Sequence, residues 1–222
     1  MQTNEFYATA LAVLVACSDS SLAAVNIIDQ TYGVGAGSFE LGPYSQNSGN
    51  SGNYMRLAAN STTMIGWTVG GPDGVDWERG PSNPGYDGIY GVDLAGISHS
   101  GASSSGSVTT TIPTAIGVDY TISFLSYILG PDPVTGILTA GTLNAEFSSV
   151  GINDPSNPTY TSFQYSFTAL STSTAITFAT FNSGGFGPVI DNVIVAIPEP
   201  SSGLIGLSAI LGFSLRRRRP QK

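Results

Sequence analysis

Between residues 24 and 196 many runs carry apolar residues at every second position, and no long run shows the three-to-four-residue spacing of an amphipathic helix. Tyr120, Ile122 and Phe124 alternate with Thr121 and Ser123, Phe163, Tyr165 and Phe167 alternate with Gln164 and Ser166, and Ile176 and Phe178 flank Thr177. Successive side chains of a strand point to opposite faces, so this pattern describes strands with one face inward. Segments 25–29, 38–41, 64–69, 89–94, 107–112, 143–150 and 189–196 add candidates, each bounded by Gly, Pro, Asn or Ser. Nine or ten strands in this length predict an all-β chain folded as a jelly-roll β-sandwich, without a helix inside the domain. Trp67, between Ile65 and Val69, is expected in the core, and the Gly/Ser-rich stretches 44–53 and 99–105 are expected to be loops. There is no internal repeat and no linker to a second domain.

Both ends of the chain differ from this middle. Residues 8–16 (ATALAVLVA) form an apolar run of signal-peptide length, followed by small residues at 21–24, so residues 1–23 are expected to be a signal peptide cleaved after Ala23 or Ala24. Its first residues carry no Lys or Arg, and Leu14 to Cys17 also fits a lipoprotein cleavage box, under which Cys17 would carry lipid. Ordinary cleavage is the expectation, because a C-terminal anchor makes a second one redundant. The only cysteine then leaves with the signal peptide, and the mature domain has no disulfide or thiolate chemistry.

At the other end, residues 203–215 carry no charge and are followed by Arg216, Arg217, Arg218 and Arg219, four of only seven basic residues in the chain. As a short helix this run reaches roughly 20 Å, against about 30 Å for a hydrocarbon core. The arginines resist translocation and hold the end on the cytoplasmic side. Pro198 and Pro200 on either side of Glu199 keep the preceding hinge extended. Pro-Glu-Pro, an apolar stretch and a terminal arginine cluster, in that order, resemble the PEP-CTERM sorting signal of Gram-negative bacteria over residues 197–222. The resemblance implies transient insertion in the inner membrane, recognition by an exosortase-type processing enzyme, and release or attachment at the cell surface or in the extracellular matrix.

The expected domain, residues 24–196, holds twelve acidic residues against Arg56 and Arg79, a net charge of −10. Phosphate contacts need clustered Lys and Arg, so nucleic acid is disfavoured as a partner. Calcium and neutral ligands suit such a chain better.

Within the domain, AGSFE (36–40), IGWTV (65–69), VDW (75–77), VDL (92–94), GVDYTISF (117–124), GGFGP (184–188) and DNV (191–193) follow one another in an order similar to the choice-of-anchor C family, whose members look related to galactose-binding-like sandwiches. Ala36 and Ile65 stand where the pattern has Asn and Pro, which touches loop geometry rather than the fold. The resemblance implies a structural calcium held between Glu40 and Asp191, with backbone carbonyls and Asp93 completing a shell of six to eight oxygens. The alternative is that Glu40 is a surface charge and Asp191 a turn residue.

For a ligand, Trp77, Tyr86 and Tyr90 lie in an acid-dotted, Gly/Pro-rich stretch (VDWERGPSNPGYDGIY) expected to form loops at one end of the sandwich. Aromatic faces beside carboxylates hold sugars, the ring under the pyranose and the carboxylates on its hydroxyls. Catalysis has little basis. His99 is the only histidine and sits among serines, which leaves no triad, and Asp73, Asp76 and Glu78 are crowded carboxylates of a kind usually solvated. The expectation is a non-catalytic exported protein that binds extracellular polysaccharide, with a secreted carbohydrate-active enzyme and a purely structural matrix component as alternatives.

Overall fold

The computed structural model describes residues 25–45, 54–79, 87–96, 103–128, 133–149, 159–180, 182–183 and 186–198; the expected signal peptide, His99, Tyr86 and the tail from Glu199 on lie outside them. Among the described residues, one short helix precedes thirteen strands: α1 (Ile27–Tyr32), β1 (Tyr54–Leu57), β2 (Thr68–Gly70), β3 (Val75–Arg79), β4 (Tyr90–Asp93), β5 (Ser103–Ser104), β6 (Ser107–Pro113), β7 (Asp119–Tyr127), β8 (Val134–Ala140), β9 (Leu143–Ser149), β10 (Thr161–Thr168), β11 (Ser173–Thr180), β12 (Asn182–Ser183) and β13 (Val189–Ala196). No described helix is long and apolar enough to cross a membrane.

Two antiparallel sheets pack face to face, one ordered β1-β3-β4-β13-β7-β10 and the other β2-β6-β11-β8-β9, and β5 and β12 pair separately. From β6 onward nearly every connection crosses from one sheet to the other, which is the path of a jelly-roll sandwich. The alternation predicted for β7, β10 and β11 puts Tyr120, Ile122, Phe124, Phe167, Ile176 and Phe178 in the core. Phe124 of the first sheet meets Phe147 and Phe178 of the second edge-on, each with centroids 4.9 Å apart, and stacks on Phe163 at 5.2 Å. This aromatic group pins the two layers together at the geometry such rings prefer.

Three expected segments differ. Residues 25–29 begin a helix, not a strand: Asn26 caps it by accepting the Ile28 N–H on its side-chain oxygen, and Gly33 ends it. Residues 38–41 are not a strand: Ser38 and Phe39 end a turn over 34–39, with Phe39 buried at a positive φ of 59°. Of 64–69 only the end is a strand. Strands β1, β3, β5, β8 and β12 were not expected; β3 falls in the stretch read as a ligand loop and β5 in the stretch 99–105, also read as a loop.

The 36–40 turn is tied to the last strand. Val193 donates its N–H to the Gly37 carbonyl, and the Asn26 side chain donates to the Val193 carbonyl and accepts the Val195 N–H. Trp67 and Trp77, both buried, donate their indole N–H groups to the Ala36 and Phe39 carbonyls of the same turn. One end of the core is thereby organised around this turn, and Trp67 sits in the core as expected.

Candidate functional site

The aromatic platform expected from Trp77 and Tyr90 does not form. In β3 the alternation sends Val75 and Trp77 inward and Asp76 and Glu78 outward, and Trp77 has no exposed surface. Tyr90, half-buried on the inner face of β4, packs on Trp77 and Tyr44 with centroids 5.1 and 4.9 Å away. These rings close the end of the core. Tyr86 lies outside the described residues.

The carboxylates expected to bind calcium accept backbone N–H groups. Glu40 Oε1 accepts the N–H groups of Ile89 (2.7 Å) and Tyr90 (2.8 Å). Asp191 accepts the Asp87 N–H on one oxygen and the Asn192 N–H on the other, and the Ser38 hydroxyl donates to the Asp87 carboxylate. Glu40 and Asp191 therefore grip the two ends of segment 87–90. Asp93 Oδ1 accepts the N–H groups of Ala95 (2.8 Å) and Gly187 (2.9 Å). Among the described residues no group of three or more His, Cys, Asp or Glu side chains is arranged to hold a metal.

The outer face of the six-stranded sheet nonetheless concentrates charge. Cα registers set Arg56 opposite Asp76 and Asp76 opposite Asp93. Arg56 forks onto Asp76, with Nε 3.0 Å from Oδ1 and Nη2 3.2 Å from Oδ2. Asp76, Glu78, Asp93 and Asp191 are all buried. Burial pushes the Asp93 carboxyl well above the usual carboxylate range, the Glu78 and Asp76 charges push it further, and the Ala95 and Gly187 N–H groups only partly oppose this. Burial likewise raises Tyr127 and Tyr160, whose rings meet at 4.7 Å.

An accessible site lies on the other sheet. A cleft of about 260 Å³ opens between α1 and the β2/β6 edge, lined by Tyr32, Thr62, Trp67, Thr68, Thr109 and Thr111 together with Met64 and Gly66. Tyr32 donates its hydroxyl to the Thr111 carbonyl (2.6 Å), which holds the ring upright over β6. The ring lies close on Gly66, where a Cβ would come within 2.9 Å of it, and the φ of +89° there also calls for glycine. One wall is thus an aromatic face, the rest is mostly threonine hydroxyls and methyls, and no lining residue is charged. None of these residues was singled out from the sequence as a ligand contact; Trp67 was read as core. Thr109 and Thr111 were legible as the outward positions of 107–112, but which strands and which helix surround them was not.

No family model matches the chain, and no curated protein matches it in sequence. Among solved structures, several are similar to part of the chain. TmCBM61, solved in complex with β-1,4-galactotriose, is 18% identical over 60% of this chain and 88% of its own, with a TM-score of 0.47. The Arthrobacter globiformis T6 isomalto-dextranase complexed with panose is 20% identical, 66% of this chain matching 23% of that one, at 0.44. A family 35 carbohydrate-binding module from Clostridium thermocellum is 13% identical over 64% and 97%, at 0.42.

Proposed function

We propose that this chain is an exported surface or matrix protein whose sandwich binds a neutral extracellular polysaccharide in the Tyr32 cleft, and whose tail is a sorting signal. The observation that carries the ligand reading is the lining: an aromatic wall facing threonine hydroxyls, with no charge, in a domain whose net charge of −10 disfavours polyanions. Its volume is near the lower end of the roughly 300–1,000 Å³ of small-molecule sites, a size for a single sugar residue. Thr68→Val keeps shape and strand preference and removes one exposed hydroxyl. Its affinity for a retained neutral polysaccharide should fall about two- to tenfold, the worth of one hydrogen bond, with an unchanged melting temperature. Unchanged retention across a panel of neutral polysaccharides would move the ligand elsewhere.

A hydrolase is the second reading: burial, and then the Glu78 charge, raise the Asp93 carboxyl, and two carboxyls set apart in this way are what glycoside hydrolysis uses. Product release from the same polysaccharides tests it.

The sorting reading rests on the order Pro198-Glu199-Pro200, apolar run, Arg216 to Arg219, and agrees with the choice-of-anchor C resemblance. β13 ends at Ala196, and Ile197 and Pro198 are exposed beyond it, as access by a processing enzyme would require. In a Gram-negative host that has an exosortase-type enzyme, Glu199→Ala should leave export and membrane insertion intact and abolish maturation, read by fractionation and intact mass. Maturation at the normal rate would overturn the assignment.

A further inference from the structure

The cleft is not isolated on its face. Thr68 pairs with Thr109, Thr109 with Thr177, Thr177 with Thr139 and Thr139 with Asn144, so one residue from each of β2, β6, β11, β8 and β9 stands in a single row across the sheet. The row is on the outward side: its neighbours along the strands, Val69, Val108, Ile176, Phe178, Leu138 and Ala140, all lie in the core. Thr68 and Asn144 are exposed and the three threonines between them half-exposed. The Thr109 and Thr177 hydroxyls lie 2.9 Å apart, so the row is continuous where the two strands meet. At about 4.8 Å per strand it spans roughly 19 Å. Its first two members line the cleft. Among the described strands of this sheet, the only charged side chain on the outward face is Glu146, on edge strand β9.

Each threonine offers a hydroxyl that donates and accepts, beside a methyl group. That pairing of polar and apolar groups is what the edge and face of a sugar ring present, and successive rings of an extended β-linked glycan repeat at nearly the strand spacing. An anionic polymer gains nothing here, since the row offers no cation and the domain is strongly acidic.

We propose that the row is a track for an extended neutral glycan running across the strands, with one sugar residue in the Tyr32 cleft and the following residues over Thr109, Thr177, Thr139 and Asn144. This rests on the cleft reading and adds the class of ligand to it: a chain, not a lone sugar.

The test is isothermal titration of the full domain with β-1,4-linked gluco- and galacto-oligosaccharides of two to six residues. Affinity should rise with each added residue up to four or five. The double variant Thr177→Val/Thr139→Val, which keeps β-branched side chains in both strands, should bind the hexamer about tenfold more weakly, the worth of two hydrogen bonds, and bind the dimer as the wild type does. A hexamer bound no more tightly than a dimer, or a double variant that binds the hexamer normally or loses the dimer equally, overturns the track while the cleft stands. If no oligosaccharide or neutral polysaccharide binds at all, the cleft reading and the track fall together.

Discussion

Trp77→Ala is expected to destabilise the domain by about 3–5 kcal/mol, the usual cost of deleting a large core aromatic, and to lower its melting temperature by roughly 6–20 °C. Trp77 has no exposed surface, and its ring is walled by Tyr44 and Tyr90 at 5.3 and 5.1 Å. Deleting it leaves a cavity between rigid rings that cannot collapse easily. It also removes the indole N–H that the Phe39 carbonyl accepts at 3.1 Å, and so loosens the turn that meets the last strand. Trp77→Phe separates the two costs: it keeps much of the volume, loses the donor, and should fall between wild type and alanine. Thermal melts followed by near-ultraviolet circular dichroism read all three. A Trp77→Ala domain that melts with the wild type but no longer holds polysaccharide would restore the exposed platform that the sequence suggests.

That reversal shows where the sequence is legible. β7, β10 and β11 are plain because apolar and polar residues largely alternate along them, and β13 because it is a mostly apolar run between turn residues, buried along most of its length. β3 escapes because its outward face is buried too: Asp76 and Glu78 are under cover, and VDWER reads as a charged loop although Val75 and Trp77 alternate correctly. β8 escapes because Gly136 interrupts its inward positions. The Phe147 ring fills that place, with a Cβ there falling 2.1 Å from it, so the missing side chain is supplied from the paired strand. The helix at 27–32 is a matter of length, since three residues of alternation cannot be told from the start of a turn, and the Asn26 and Gly33 caps were the better signal. Glu40 and Asp191 each accept peptide N–H groups of segment 87–90, a role that a carboxylate fills without advertising it in the sequence. The threonine row is made by register between strands far apart in the chain, and no local pattern encodes it.

The buried charge makes a second large effect measurable. Asp93 is 2% exposed, and its folded-state carboxyl titrates well above the ordinary value of 3.8 because of burial, then of Glu78 and Asp76. The folded protein therefore holds a proton over a pH range in which the unfolded chain has released it. Stability linked to this group is fully present below about pH 3.8 and is lost as pH rises through the folded-state value. The slope inside that window approaches about 1.4 kcal/mol per pH unit, the limit for one proton. Asp93→Asn removes the titration and keeps an oxygen to accept the Ala95 and Gly187 N–H groups. The variant should therefore be more stable than the wild type at neutral pH, with the gap closing as pH falls toward 4, because the protonated wild type then resembles it. Urea unfolding at several pH values gives both curves, and their difference cancels the carboxylates the two proteins share. Parallel curves would mean that Asp93 is ionised in the folded domain and neutralised by a cation or a donor, and the buried acid face would then be a binding site for that group.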